Sequence, residues 1–160
     1  MPIQTSDKIC ELSEAIQRRG EWKLKSEQVV FTNGCFDILH LGHVDYLEKA
    51  RLTGTKMIVA VNSDASVRTL KGPERPVNNE YARARIIASL QFVDLVIVFN
   101  EETPLELINE LLPDILVKGD DYSIETIVGA KEVIAAGGQV KTIPLVPSYS
   151  TTGIIQKLKQ

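Results

Sequence analysis

Apolar residues along the chain gather into five short blocks: Gln28–Thr32 (QVVFT), Lys56–Val61 (KMIVAV), Leu95–Phe99 (LVIVF), Ile115–Lys118 (ILVK) and Gln139–Ile143 (QVKTI). Most run apolar without alternation, the pattern of strands buried on both faces. The segments between them read as helices. Asp7–Arg19 puts Ile9, Leu12 and Ile16 on one face, with Gly20 as its stop. Gly42–Leu52 ends at Gly54, and Ala65–Leu70 and Glu80–Leu90 follow. Thr103, Pro104 and Glu106 form a capping-box start for the next helix. Glu125–Ala136 is stopped by Gly137-Gly138, and Thr152–Leu158 is the last helix. Lys71–Asn79 (KGPERPVNN) has a glycine, two prolines and two asparagines, so it is a loop. Buried strands alternating with helices predict an α/β fold: a doubly wound, five-stranded parallel sheet in a single domain over residues 1–160, with its core at about 28–158.

Composition narrows the function classes. The 160 residues are 44% hydrophobic and 24% charged, as in a globular chain. The longest apolar runs are strand-sized, far below the roughly 20 residues of a membrane helix. The first twenty residues hold no uninterrupted apolar stretch, so no secretory leader is expected. A net charge of -3 argues against a nucleic-acid partner. Two cysteines, Cys10 and Cys35, make no disulfide framework, and the cytoplasm is the expected location.

In a doubly wound sheet, ligands bind beyond the carboxyl ends of the strands, where strand order reverses. The polar, glycine-rich and hydroxyl-rich segments collect at that edge. Asn33-Gly34-Cys35-Phe36-Asp37-Ile38-Leu39-His40-Leu41-Gly42-His43 follows strand one. Asn62-Ser63-Asp64 follows strand two, Gly119-Asp120-Asp121-Tyr122 strand four, and Pro147–Thr152 strand five. His40 and His43, the only histidines, stand where a helix should begin and would suit a polyanion such as a triphosphate. The plain alternative is a pair of surface histidines, and a metal site with Cys35 matches no closed zinc spacing. Ser150-Thr151-Thr152 can cap the last helix and bind phosphate together. Lys71, Arg75 and Arg83 offer cations, or are solvated charges. Asp120 and Asp121 can equally be turn residues, and Lys118 is an unusual lysine closing an apolar strand. No G-x-x-x-x-G-K-[ST] or G-x-G-x-x-G stands in the required context.

Gly34-Cys35-Phe36-Asp37-Ile38-Leu39-His40-Leu41-Gly42-His43 resembles the G-x-F-D-x-x-H-x-G-H signature of the cytidylyltransferase-like nucleotidyltransferases. Ser150-Thr151-Thr152 resembles their second signature, although only Lys157 stands near that signature's basic position. Within the superfamily, FTNGCFDILHLGHVDYLEKA, LKGPERPVNN, PDILVKGDDY and STTGII are similar to the adenylyltransferase domains of bacterial ADP-heptose synthesis. The resemblance implies AMP transfer from ATP to D-glycero-β-D-manno-heptose 1-phosphate, releasing pyrophosphate and giving ADP-heptose for lipopolysaccharide or other surface glycans. It implies Mg²⁺ carried by ATP and water without a protein-held metal, a homodimer, and a separate heptose kinase upstream.

The same resemblance assigns His40 and His43 to the triphosphate, with Lys71 in the catalytic set. Ser150, Thr151 and Thr152 face the β- and γ-oxygens. Thr32, Asn33, Gly34, Phe36, Asp37 and Gly42 shape the first loop around the nucleotide, and Arg75 and Arg83 serve phosphates. Lys118, Gly119, Asp120 and Tyr122 lie near ribose and base. The Lys71–Asn79 loop should be mobile until phosphates arrive. Two rivals remain: a glycerol-3-phosphate cytidylyltransferase, or a regulatory nucleotide-binding module without turnover.

Overall fold

The computed structural model describes residues 4–160; residues 1–3, part of the stretch read for a leader, lie outside the described residues. Five strands form the sheet: β1 (Val29–Gly34), β2 (Lys56–Asn62), β3 (Leu95–Phe99), β4 (Ile115–Gly119) and β5 (Gln139–Ile143). They run parallel in the order β3-β2-β1-β4-β5, so strand order reverses between β1 and β4. This is the predicted doubly wound arrangement.

The unbroken apolar strands follow from cover on both faces. Val30, Met57, Val59 and Val96 pack with Leu47 of α2 (Leu41–Arg51) and Ala84 and Ile87 of α4 (Glu80–Ala88). Their neighbours Val29, Phe31, Ile58 and Leu95 point the other way. They meet Ala15 of α1 (Leu12–Leu24), Ile108 of α5 (Leu105–Leu111) and Val133 of α6 (Ala130–Ala135). Two further helices, α3 (Asp64–Lys71) and α7 (Thr151–Leu158), rise from the carboxyl edge.

Three helix boundaries differ from the sequence expectation. The first segment is a 3-10 turn at Thr5–Lys8, after which Ile9 bridges Val96 and Cys10 N–H donates to the Val96 carbonyl at 3.0 Å. Only then does α1 begin, and it runs through Gly20 to Leu24. An interior glycine costs about 0.5–1 kcal/mol, which the packing of Ala15 and Trp22 outweighs. Arg19 helps too, donating to the carbonyls of Leu111 and Leu112 and pairing with Asp114 at 3.1 Å. In α5 the expected capping box does not form: Pro104 is the N-cap, and Thr103 Oγ1 accepts only a 3.4 Å bond from Leu105 N–H. The expected helix Glu125–Ala136 is a 3-10 turn at Ile124–Thr126 followed by the shorter α6. Gly129, at φ +85°, breaks it, and a Cβ there would lie 2.6 Å from Ile108 Cδ1.

One detail of register shapes the functional edge. β1 pairs with β2 along all six of its residues, from Val29 to Gly34. It pairs with β4 only at Val30–Ile115 and Phe31–Leu116. Beyond Phe31 these two central strands part, and side chains bridge them. Tyr46 Oη, from α2, donates to the Val117 carbonyl at 3.1 Å and lies 2.7 Å from Thr32 Oγ1. Lys118 Nζ donates to the Asn33 carbonyl at 3.4 Å.

Candidate active site

A cavity of about 640 Å³ opens where β1 and β4 part. Its floor comes from Asn33, Gly34, Cys35 and Phe36 after β1 and from Lys118, Gly119 and Tyr122 after β4. His40, Gly42 and His43 form one wall; Ser150, Thr151 and Thr152 form another, with Lys71 and Arg75 at the rim.

The histidines are held by local backbone. His40 is the N-cap of α2, extended at φ -141°, and His43 sits in the first turn. Their rings stack with centroids 3.8 Å apart, and the Phe36 ring meets His43 edge-on at 5.3 Å. Gly42 makes this possible, because a Cβ there would press on His40 Cε1 at 2.9 Å and Tyr149 Cβ at 3.2 Å. Burial, and then the neighbouring His40, hold His43 down to about 4, and burial also lowers His40. Both imidazoles are therefore neutral at pH 7 and each offers one N–H donor. Both Nδ1 atoms are buried without a protein partner among the described residues. Neither ring thus spends an Nδ1 bond on the protein, and both rings line the cavity.

The opposite wall is a helix start. Ser150 Oγ accepts from Gly153 N–H at 2.9 Å, which satisfies one α7 amide and leaves the Thr151 and Thr152 end facing the cavity. Two cavity walls thus present uncharged donors, while Lys71, Arg75 and Lys118 supply positive charge.

Asp37 works one layer below. Only 1% exposed, it accepts bonds from Arg75 Nε, Val77 N–H and Asn78 N–H, each at 2.9 Å. Burial pushes its carboxyl up, but the Asn78 and Val77 amides and Arg75 outweigh this and keep it below the usual carboxylate range. The 71–79 loop read from sequence begins later than expected and is partly fastened from beneath. Lys71 is the last residue of α3, and residues 75–78 are tied to Asp37.

Other assigned residues fall outside the cavity. Arg83, expected at a phosphate, is 0% exposed and donates to the Asn78 and Cys35 carbonyls and to Asp64 Oδ1 at 2.9 Å. Thr32 is buried against Tyr46, so its hydroxyl is already committed. Asp120 is exposed and accepts from Leu145 N–H at 3.4 Å; the carboxylate lining the cavity is its neighbour Asp121. Asn62, Glu102 and Tyr149 also line it and were not singled out from sequence. Asn62 was signalled by its place after β2. Tyr149 likewise stood in the segment placed at that edge after β5, and nothing local marked Glu102. Among the described residues, no three His, Cys, Asp or Glu side chains converge as ligands for a metal, and no helix is long and apolar enough to cross a membrane.

Known proteins share this architecture. The cytidylyltransferase-like family profile matches residues 31–157, which contain both cavity walls. The chain is 50% identical over 153 residues to the bifunctional protein HldE of Methylobacillus flagellatus, covering 96% of this chain and 31% of that protein. It is 53% identical over 158 residues to the HldE of Mesorhizobium japonicum, covering 99% and 32%. The chain therefore spans about a third of the length of these curated relatives. A lipopolysaccharide core biosynthesis protein from Thermoplasma volcanium superposes with a TM-score of 0.61 at 29% identity, covering 78% of this chain and 99% of that one. A pantoate-beta-alanine ligase from Francisella tularensis, at 15% identity and a TM-score of 0.60, shares the fold. With the profile spanning most of the chain, from the middle of β1 into α7, the protein belongs to the cytidylyltransferase-like family.

Proposed function

We propose that this chain transfers AMP from ATP to D-glycero-β-D-manno-heptose 1-phosphate, forming ADP-heptose for lipopolysaccharide or related surface glycans. The observation that carries the reading is the pairing, across one cavity, of the stacked His40–His43 donors with the start of α7. Identity of 50–53% to the HldE proteins over nearly the whole chain supports the choice of nucleotide and acceptor.

In the reaction, an acceptor phosphate oxygen forms a bond to the α-phosphorus of ATP. The bond from that phosphorus to the bridging oxygen breaks, and pyrophosphate leaves with the electron pair. The acceptor is already ionised, so no strong general base is required. The chain's task is alignment and stabilisation of charge on the α-phosphoryl and the departing oxygens. His40 and His43 donate neutral N–H groups there, and the Thr151 and Thr152 hydroxyls and the α7 amides receive the β- and γ-oxygens. Lys71 and Arg75 add positive charge at the rim. Asp37 positions Arg75, while Asn33, Gly34 and Phe36 shape the floor.

Among the described residues, only Asp121 and Glu102 bring carboxylates to the cavity, so a divalent cation fits as part of the nucleotide and not in a protein cage. Mg²⁺ bound to ATP would neutralise phosphate charge. The proposal includes a cytoplasmic homodimer, supplied with heptose 1-phosphate by a separate kinase.

The test offers ATP or CTP with heptose 1-phosphate or glycerol 3-phosphate and measures pyrophosphate. Release only with ATP and the heptose phosphate is expected. Preference for CTP and glycerol 3-phosphate would replace the substrates, and silence in every arm, with nucleotide still bound, would leave a binding module. Sedimentation of the same sample reads the oligomeric state.

A further inference from the structure

Lys118 is a half-buried cation that forms no ion pair among the described residues. It is the penultimate residue of β4, after three buried apolar residues, Ile115, Leu116 and Val117, and lines the cavity where β1 and β4 part. Its one hydrogen bond among the described residues goes to the Asn33 carbonyl at 3.4 Å, and the Tyr122 ring lies 5.5 Å from Nζ. It enters no ion pair among the described residues, so two of the three ammonium N–H donors are unspent. A lysine drawn this far from water without an ion pair is uncommon, because desolvation penalises the charge.

We propose that Lys118 anchors the phosphate of the acceptor substrate, an assignment that rests on the adenylyl-transfer reading above. The leaving pyrophosphate has its own donors at the starts of α2 and α7. Lys118 belongs to neither group; it stands on the cavity floor, at the seam between the two halves of the sheet. The incoming phosphate must approach the α-phosphorus on the side away from the leaving group, and it needs a cation that the pyrophosphate does not occupy.

The environment makes this anchor sensitive to pH. Burial lowers the ammonium from 10.5 to about 8, against smaller opposing effects of Asp121 and Cys35. The remaining titratable neighbours are Tyr46 and Tyr122. Only the charged form holds a phosphate, so acceptor affinity should fall as pH rises through 8. Between pH 7.0 and 9.0 the phosphomonoester is already a dianion, its second proton leaving near pH 6. Over the same range His40 and His43 are neutral, Asp37 is ionised, and burial keeps Cys35 and Tyr46 protonated.

Calorimetric titration of the full chain, loaded with a non-hydrolysable ATP analogue, tests the assignment with heptose 1-phosphate and, in parallel, inorganic phosphate. Wild-type affinity is expected to drop about tenfold from pH 7.0 to 9.0, following the loss of the charged form. Lys118→Met should bind the acceptor about tenfold or more weakly at pH 7.0, show no pH dependence, and bind the ATP analogue within about twofold of wild type. Lys118→Arg should bind at both pH values, abolishing the pH dependence without loss of affinity. If Lys118→Met does not fold, the wild-type and Lys118→Arg profiles decide alone. A flat wild-type profile overturns the assignment, as does pH dependence persisting in Lys118→Arg or a loss falling on the ATP analogue. Absence of pyrophosphate release with every acceptor would instead sink the adenylyl-transfer reading, so the two failures are separable.

Discussion

Asp37 and Val77 are joined across forty positions of sequence by a partly buried 2.9 Å hydrogen bond from the Val77 amide to the carboxylate. The same carboxylate takes Asn78 N–H and Arg75 Nε. The loop that brings Arg75 to the cavity is thus fastened from beneath by the motif that also carries the histidines.

Asp37→Ala should therefore act on stability and on binding together. It leaves two amides and a partly buried guanidinium without their acceptor, a loss of about 1–5 kcal/mol. Chemical denaturation measures the stability change, and hydrogen exchange at Val77 and Asn78 should speed up in the variant. In wild type these two amides should be protected even without ligand. Unprotected amides in the ligand-free wild type would restore the mobile loop expected from composition.

For the histidines, the expected effect is on turnover. His40→Ala and His43→Ala should each lower kcat by about 10²–10³, the scale of losing one preorganised donor, while circular dichroism stays unchanged. Near-wild-type kcat in either folded variant removes the proposed role.

His43 also predicts how stability responds to acid. The folded chain refuses a proton at His43 until about pH 4, whereas the unfolded chain accepts one near 6.5. The unfolded state then binds more protons, so stability is full above pH 6.5 and declines as pH falls toward 4. His43→Asn should show a smaller difference in urea midpoint between pH 7.5 and 5.0. An identical difference in variant and wild type would show that His43 contributes nothing to it.

Cys35 lies 3.9 Å from Asn62 Oδ1, and burial raises its thiol against the opposing pull of Lys71, Arg83 and Arg75. A protonated thiol is a poor nucleophile, so Cys35→Ala should retain most activity. Chelators should inhibit only by stripping Mg²⁺ from ATP. Tightly bound zinc in the purified protein would contradict this and join Cys35 to the histidines.

The sheet was legible because its signal is local: each strand announces itself by a run of apolar residues. Gly20 and Gly129 show where local rules stop. Gly20 sits in a helix because remote packing outweighs its intrinsic cost, whereas Gly129 breaks one by turning left-handed, where Ile108 also leaves no room for a Cβ. The site divides in the same way. His40, His43 and Thr151 could be placed because they directly follow strands or open helices. Arg75 and Arg83 look alike in sequence, yet Asp37 holds one at the cavity rim while Asp64, Asn78 and Cys35 bury the other. Those partners lie far along the chain, and no spacing rule encodes them. Asp120 and Asp121 were separated only by how the turn after β4 is oriented.

The two-residue ladder between β1 and β4 divides the sheet into two plates, β3-β2-β1 and β4-β5, joined along a narrow hinge line. Each plate keeps its own full set of backbone bonds. The bridges beyond the hinge, from Tyr46 and Lys118, are single side-chain bonds that can lengthen or re-form. The cleft therefore lies where neighbouring strands of the sheet share the fewest backbone pairs.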